Sequence, residues 1–247
     1  MSDAEERAAR ACEDRAARAE LLAAGQEAAA DPLRFAAGLF RAQAACSIRL
    51  RSNDFALAVE AARPIVEYVA TRGPAALAAD ARAFHPDRLR AYWGGLAEFD
   101  YLARAAMSPY ARVLRERGVV LGRPEGPCTV CGGAPWIAAR RGGGGPNNDG
   151  AMRVLICSLC ALEWQISRIR CPACGEENPD RLPNYGAPGH PEARIEACET
   201  CKGYVKSIDL TNDARRIPEV DELASISLDL WAAEQGFQRI EPGLAGL

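Results

Sequence analysis

The first 118 residues place their apolar side chains at the three- and four-residue spacing of amphipathic helices, with no alternating strand pattern. One helix is predicted over residues 3–29, where nearly all apolar positions are alanine. Because alanine offers little surface to bury, we expect this helix to pack loosely. A second helix is predicted from the Asp31-Pro32 start signal to about Ile48.

The remainder of this region predicts shorter helices. Asn53 or Asp54 is expected to cap one that Pro64 kinks or divides in two. Further helices are predicted over residues 75–83, 87–106 and 109–117. Gly118 follows them at the position where a glycine commonly ends a helix.

From Gly118 to Pro127 the chain reads as a linker, and short strand-like segments follow it. The run 142–150 is rich in glycine and asparagine and is predicted to be a loop. It lacks the Gly-Lys-Ser/Thr ending of a phosphate-binding loop, so nucleotide binding there is not expected. The segment 161–170 alternates in polarity and predicts a strand that joins two β units.

One final helix is predicted from about Val220 to Gln235. Its expected core-facing stripe consists of Val220, Leu223, Ile226 and Leu230. Asp221, Glu222 and Asp229 are predicted to lie on the opposite, exposed face. Such an acidic face is either simply solvated or a partner-binding surface that receives a basic peptide.

Eight of the ten cysteines form four Cys-x-x-Cys pairs. The pairs are Cys128/Cys131, Cys157/Cys160, Cys171/Cys174 and Cys198/Cys201. Between the first and second pairs, 25 residues separate Cys131 from Cys157. Between the third and fourth pairs, 23 residues separate Cys174 from Cys198. Only ten residues lie between Cys160 and Cys171. This spacing predicts two consecutive four-thiolate metal sites, each built from two pairs.

The segment is also an internal repeat in which each half opens with Cys-x-x-Cys-Gly. Gly132 and Gly175 suit the positive φ that a tight turn around a metal requires. Each half is therefore predicted to be a rubredoxin-like or zinc-ribbon unit. Four thiolates accept iron as well as zinc, so two metal ions of either kind are expected. Disulfides are disfavoured because nothing marks the chain as secreted.

Taken together, these patterns predict an α+β fold: an N-terminal all-α helical domain, two tandem rubredoxin-like or zinc-ribbon β units, and a C-terminal helix. The predicted domains cover residues 1–120, 121–168, 169–212 and 213–247. No catalytic constellation is recognisable, since the two histidines, His85 and His190, both read as loop residues. The chain is therefore predicted not to be an enzyme.

Charge and hydropathy reduce the number of possible functions and cellular locations further. The net charge is −3, and Lys202 and Lys206 are the only lysines, which disfavours binding of nucleic acid. No stretch approaches 18 apolar residues and the N-terminus has no apolar signal segment, so we expect a cytoplasmic protein without membrane insertion.

The cysteine motifs and their neighbours resemble the FdhE family of formate dehydrogenase accessory proteins. The matching motifs are Cys128-x-x-Cys131-Gly132, Arg153-x-x-x-Cys157, Glu163-Trp164, Arg168-x-x-Cys171 and Cys198-x-x-Cys201-x-x-Tyr204-x-Lys206. The ending from Val220 to Arg239 is similar as well, although Asp221-Glu222-Leu223 stands where the family usually has Asp-Asp-Leu. The N-terminal region matches only in class and is shorter than usual.

The resemblance implies a cytoplasmic, non-catalytic maturation factor. Such proteins bind the catalytic subunit of a formate dehydrogenase, a molybdenum or tungsten enzyme, before export, and carry iron in rubredoxin-like sites. Two alternatives stay open from the residues alone. One is a rubredoxin-like redox or oxygen-sensing electron-transfer protein, and the less favoured one is a zinc-ribbon protein that binds nucleic acid.

Overall fold

The computed structural model describes residues 3–95, 99–121, 127–142 and 150–246. It confirms the predicted α+β class, with helices first, then strands that carry the cysteine pairs, and helices again near the C-terminus. The predicted linker 118–127 and the predicted loop 142–150 lie partly outside the described residues. None of the described helices combines the length and apolar character needed to cross a membrane.

Seven helices are described in the N-terminal region. They are α1 Asp3–Gly25, α2 Ala30–Arg49, α3 Phe55–Ala61, α4 Arg63–Arg72, α5 Ala75–Arg82, α6 Asp87–Gly94 and α7 Tyr101–Glu116. As predicted, the chain divides into two helices beside Pro64, and the Asp54 carboxylate caps α3 by accepting the Ala56 N–H at 2.7 Å. Gly118 has a φ of +72°, which also confirms its predicted role after the last of these helices.

The prediction of loose packing for the first helix is wrong. Ala16 and Ala19 of α1 are completely buried, in a cluster that includes Leu33 and Phe40 of α2. Small side chains let two helix backbones approach closely, so an alanine face packs tightly although each residue buries little area. The second helix begins at Ala30, and Asp31 lies within its first turn instead of capping it.

The predicted division between helices 87–106 and 109–117 is also wrong, because α7 continues through Pro109. A proline inside a helix leaves the carbonyl four residues earlier without its usual N–H donor. Here that carbonyl belongs to Ala105, and it accepts a hydrogen bond from Gln43 Nε2 of α2 at 2.8 Å. A side chain from another helix thus compensates for the proline.

The described strands form one sheet. They are β1 Pro135–Arg141, β2 Met152–Cys157, β3 Glu163–Gln165, β4 Asn184–Ala187, β5 His190–Ala197, β6 Gly203–Asp209 and β7 Gln238–Arg239. The order is β3-β2-β1-β6-β5-β4, with β7 pairing beside β6. The parallel pair of β1 and β6, with Ile137 opposite Lys206, connects the hairpins of the two cysteine repeats. The strand predicted over 161–170 is shorter than expected, and His190 begins β5.

Two short helices, α8 Pro218–Ala224 and α9 Ile226–Glu234, replace the single predicted C-terminal helix. The chain leaves helical geometry at Ser225, whose hydroxyl donates to the Glu222 carbonyl at 3.1 Å. After this break, Leu230 points away from the core and is 52% exposed. Leu228 of α9 packs instead against Ile195 and Ile208 on one face of the sheet.

Candidate metal centres

The eight paired cysteines converge into two clusters. In each cluster the four sulphur atoms lie within 4.8 Å of one another. Cluster 1 consists of Cys128, Cys131, Cys157 and Cys160, and cluster 2 consists of Cys171, Cys174, Cys198 and Cys201. The pairing of consecutive repeats is therefore the one predicted from the spacing.

The donor sets suit a tetrahedral ion. Sulphur atoms about 2.3 Å from a common centre in a tetrahedron lie about 3.8 Å from one another. The Sγ–Sγ distances are 3.6 Å for Cys128–Cys160 and 3.4 Å for Cys131–Cys157 in cluster 1. In cluster 2 they are 3.8 Å for Cys171–Cys201 and 3.6 Å for Cys174–Cys198. The clusters can hold metal ions; zinc would supply a cross-link, and iron a one-electron couple as well.

All four cysteine turns share one backbone geometry. The residue after the second cysteine of each pair has a positive φ: Gly132 +72°, Ala161 +55°, Gly175 +77° and Lys202 +58°. Both predicted glycine positions are therefore confirmed. In three of the four turns, the backbone N–H of the first cysteine donates to the carbonyl of the residue five positions later. The Cys157 N–H, for example, donates to the Leu162 carbonyl at 2.9 Å. The local sequence of each turn thus directs the two thiols of a pair towards the same point.

Close contacts complete the turns. The Leu159 N–H lies 3.4 Å from Cys157 Sγ, and the Gly203 N–H lies 3.4 Å from Cys201 Sγ, so each donates to a sulphur. Gly133 leaves no space for a side chain, because a Cβ there would lie 2.7 Å from Cys157 Sγ. The amide donors offset part of the negative charge that four thiolates bring together.

Cluster 1 lies inside the molecule. Its four cysteines are at most 1% exposed and belong to the same hydrophobic core as the helical region. Helix α7 contacts the turn directly: Ser108 Oγ donates to the Leu159 carbonyl at 2.9 Å. Arg115 Nη1 donates to the carbonyls of Cys160 and Ala161 at 2.9 and 2.7 Å. The first metal centre is therefore packed beneath the helices.

Cluster 2 lies at the surface. Cys171 and Cys198 are buried, whereas Cys174 and Cys201 are exposed. A four-thiolate ion there would be accessible from solvent on one side. Identical donor sets thus occupy different environments, although the two sequence repeats gave no sign of the difference.

The predicted exposed acidic face is contradicted by the structure. Asp221, Glu222 and Asp229 are at most 3% exposed. Asp221 pairs with Arg18 of α1, at 2.9 Å from Nε to Oδ2. The partners of these carboxylates lie on α1 and on the sheet, so the three residues do not present a surface to a basic peptide.

Glu222 and Asp229 meet two buried cations that sequence reasoning missed. Arg239 Nη1 lies 3.0 Å from Glu222 Oε2 and 3.2 Å from Asp229 Oδ1. Lys206, completely buried, forms an ion pair with Asp229 and donates to the Glu222 carbonyl at 2.8 Å. Burial would raise the pKa of Glu222, but Arg239 and Lys206 hold it at about 2. The Tyr204-x-Lys206 motif was the feature of the sequence that could have pointed to Lys206.

Comparison with known proteins agrees with these features. The family FdhE, C-terminal domain, matches residues 169–244. The crystal structure of the FdhE protein from Pseudomonas aeruginosa is similar with a TM-score of 0.68 and 27% identity, over 94% of each chain.

Curated relatives show the same similarity. The FdhE homolog of Aquifex aeolicus (strain VF5) is 36% identical over 119 residues, which is 48% of this chain and 41% of that protein. The FdhE homolog of Edwardsiella ictaluri (strain 93-146) is 32% identical over 167 residues, 67% of this chain and 50% of that protein. The chain thus matches half or less of the length of these relatives. Together with the shared fold and cysteine clusters, these similarities relate the chain to the FdhE family, in sequence through its C-terminal part and in fold over nearly its whole length.

Proposed function

We propose that this chain is a non-catalytic accessory protein that binds the catalytic subunit of a formate dehydrogenase and supports its assembly or activation. The observation that carries the proposal is the pair of four-cysteine clusters, built into one sheet, in a chain that shares the fold of an FdhE protein. We further propose that all eight cysteines are metal ligands and that the protein acts in the cytoplasm.

The architecture supports a division of labour between the clusters. Cluster 1 would cross-link the sheet to the helical region, since it lies in their common core. Cluster 2 would stand at the surface with Cys174 and Cys201 exposed, where a partner protein can approach it. A structural metal site can contribute on the order of 10 kcal/mol to folding, so both ions would also stabilise the sheet.

Binding of the purified catalytic subunit tests the proposal directly. The metal-loaded chain and the formate dehydrogenase catalytic subunit of the same organism are mixed without oxygen, and binding is measured by calorimetry. We expect a saturable complex, and we expect a strain that lacks this chain to lose formate dehydrogenase activity.

Cysteine variants make the test specific. Cys174→Ala with Cys201→Ala is expected to fail to restore that activity, whereas Cys46→Ala, which changes a cysteine outside both clusters, restores it. Absence of a complex together with full activity in the deletion strain would refute the proposed function.

A redox or oxygen-sensing electron-transfer protein is the second candidate, and the exposure of Cys174 and Cys201 favours it. Electron transfer requires a metal near the surface, and iron bound by four thiolates cycles between Fe³⁺ and Fe²⁺. Metal content and the visible spectrum of protein purified without oxygen distinguish the cases. About two irons per chain with a colour that reduction bleaches would support it, whereas two colourless zinc ions would exclude it.

A further inference from the structure

The face of the sheet opposite α9 carries a strongly basic cavity of about 220 Å³. Its lining residues are Arg140, Ala151, Arg153, Arg168, Asn184, Arg194 and Glu196. Four of these seven residues are arginines and one is a carboxylate. The chain as a whole has a net charge of −3, so its composition does not account for this local concentration of positive charge.

Strand register explains how the arginines meet. Arg140 of β1 lies opposite Arg153 of β2 and, on its other side, opposite Asp209 of β6. Arg194 of β5 lies opposite Ser207 of β6. Residues opposite one another in a sheet project from the same face. The cavity therefore spans the parallel junction of the two cysteine repeats and needs strands from both.

The four arginines fall into two groups: Arg153 and Arg168, which donates to the Ala151 carbonyl, are held by hydrogen bonds, whereas in the described part of the chain Arg140 and Arg194 are not. Arg153 is fixed in place, since its Nε donates to Glu196 at 2.7 Å and its Nη1 donates to the Arg170 carbonyl at 2.8 Å. Within the described residues, the side chains of Arg140 and Arg194 donate no hydrogen bond and form no ion pair within 4.0 Å. Both act electrostatically on Asp209. Two guanidinium groups with free donors thus stand beside a third that is rigidly held.

A buried hydroxyl on the same face also lacks a partner. Ser207 is 2% exposed, and its Oγ has no hydrogen-bond partner among the described residues. It lies between Ala138 and Arg194 in the register of the sheet. Buried hydroxyl groups in folded proteins are usually hydrogen-bonded. This unsatisfied hydroxyl lies on the same face of the sheet as the free arginines, next to the residues that line the cavity.

We propose that this cavity is a binding site for a phosphate-type oxyanion, either free or as the terminal group of a phosphorylated small molecule. Guanidinium groups match phosphate oxygens with two parallel N–H donors each. Pockets that enclose a whole small molecule usually have about 300–1,000 Å³, so 220 Å³ suits a phosphate or diphosphate group whose remainder extends outward.

The site would also adjoin the second metal centre. Arg153 and Arg168 line a neighbouring small pocket together with Cys171 and Cys198 of cluster 2. A ligand bound at the arginines would therefore lie next to the more exposed of the two cysteine clusters.

Calorimetry of the full metal-loaded chain tests the proposal. Inorganic phosphate, pyrophosphate and AMP are titrated separately at low ionic strength, and we expect saturable binding that added salt weakens. Tighter binding of AMP than of both inorganic ligands would identify a phosphorylated small molecule. Equal or tighter binding of the inorganic ligands would identify the free anion.

Arginine variants locate the site. Arg140→Gln with Arg194→Gln removes two side chains that form no hydrogen bond among the described residues, and Asp209 keeps its two hydrogen bonds from Thr211, so folding and metal content should be unchanged. We expect affinity to fall at least about tenfold, since a charge-assisted hydrogen bond typically contributes that much. Arg72→Gln with Arg82→Gln, an equal charge change at two exposed arginines of the helical region, should leave binding unaltered.

Three results would overturn the proposal. One is the absence of saturable binding for all three ligands with a Kd below about 1 mM. Another is an equal loss in both double variants, which would reflect net charge alone. The third is binding of a polyglutamate peptide, and of no phosphate ligand, through Arg140 and Arg194, which would assign the cavity to an acidic protein segment.

Discussion

At the scale of single residues, Gly133 marks how closely the chain passes the first cluster. A Cβ at this position would lie 2.7 Å from Cys157 Sγ and 3.4 Å from Cys131 Sγ. Real carbon and sulphur atoms do not approach to the shorter distance, so a side chain would displace a metal ligand.

We therefore expect Gly133→Ala to weaken metal binding at cluster 1 by about tenfold or more, as loss of ligand orientation does at other metal sites. Metal content and competition with a chelator measure the change. Gly189→Ala serves as control, because a Cβ there meets nothing within 4 Å. Two firmly bound ions in both variants would contradict the expectation.

The two lysines offer a second contrast at this scale. Lys206 is completely buried between Glu222 and Asp229, whereas the Lys202 side chain is 54% exposed. Lys206→Met would leave buried carboxylates with one fewer cation, and removing one partner of a buried ion pair typically costs about 3–5 kcal/mol. We expect the free energy of unfolding, measured in urea, to fall by that order.

Lys202→Met is the matched control and should cost less than about 1 kcal/mol, as exposed ion pairs do. Similar losses in both lysine variants would show that the buried ion pairs of Lys206 contribute no more to stability than the exposed ion pair of Lys202.

At the scale of elements, the short helix α8 is joined by ion pairs to helix α1 of the N-terminal region and to strand β7 of the sheet. Glu219 binds Arg15 of α1 at 3.1 Å from Oε1 to Nε, and Glu222 binds Arg239 of β7. Burial would raise the pKa of Glu219, but Arg15 and Arg112 outweigh this effect and hold the pKa at about 2. Both glutamates are thus charged throughout the neutral range.

A pH dependence follows from these depressed pKa values. A carboxyl whose pKa is lower in the folded state stabilises the fold above its unfolded pKa of about 4.5 and loses that contribution as pH falls towards 2. We expect the contribution of each glutamate to the free energy of unfolding to fall by up to about 3 kcal/mol over this range. Urea unfolding at a series of pH values between 7 and 3 measures the decline.

Glu219→Gln should flatten that pH dependence, whereas Glu67→Gln, at an exposed position, should leave it as in the parent protein. Acid also releases metal from thiolates, but it does so equally in all three proteins, and the comparison cancels it. An unchanged slope for Glu219→Gln would refute the assignment.

At the scale of the whole molecule, burial separates the two metal centres. Cluster 1 shares the core of the helical region, and cluster 2 has two exposed thiols. A chelator is therefore expected to remove metal in two phases, with the ion of cluster 2 leaving first. Simultaneous loss of both ions would contradict this order.

Ligand variants should spread their effects differently. Cys174→Ser is expected to increase hydrogen exchange only around cluster 2, within residues 171–210. Cys131→Ser should also loosen α7, because Ser108 and Arg115 of this helix bind the turn that carries Cys160. Confinement of both effects to the local turns would show that cluster 1 does not hold the helices.

The sequence by itself determined the local features. The Cys-x-x-Cys pairs, the positive φ at Gly132 and Gly175 and the helical character of the N-terminal region depend on neighbours a few positions apart, so spacing and turn chemistry predicted them. Tertiary structure decided the rest. The parallel junction of β1 and β6, the burial of cluster 1, the internal pairing of Asp221, and the meeting of Arg140 with Arg194 all depend on segments far apart in the chain. A local pattern shows which residues can bind a metal or carry charge, and only the packing of distant elements decides which of them solvent or a partner can reach.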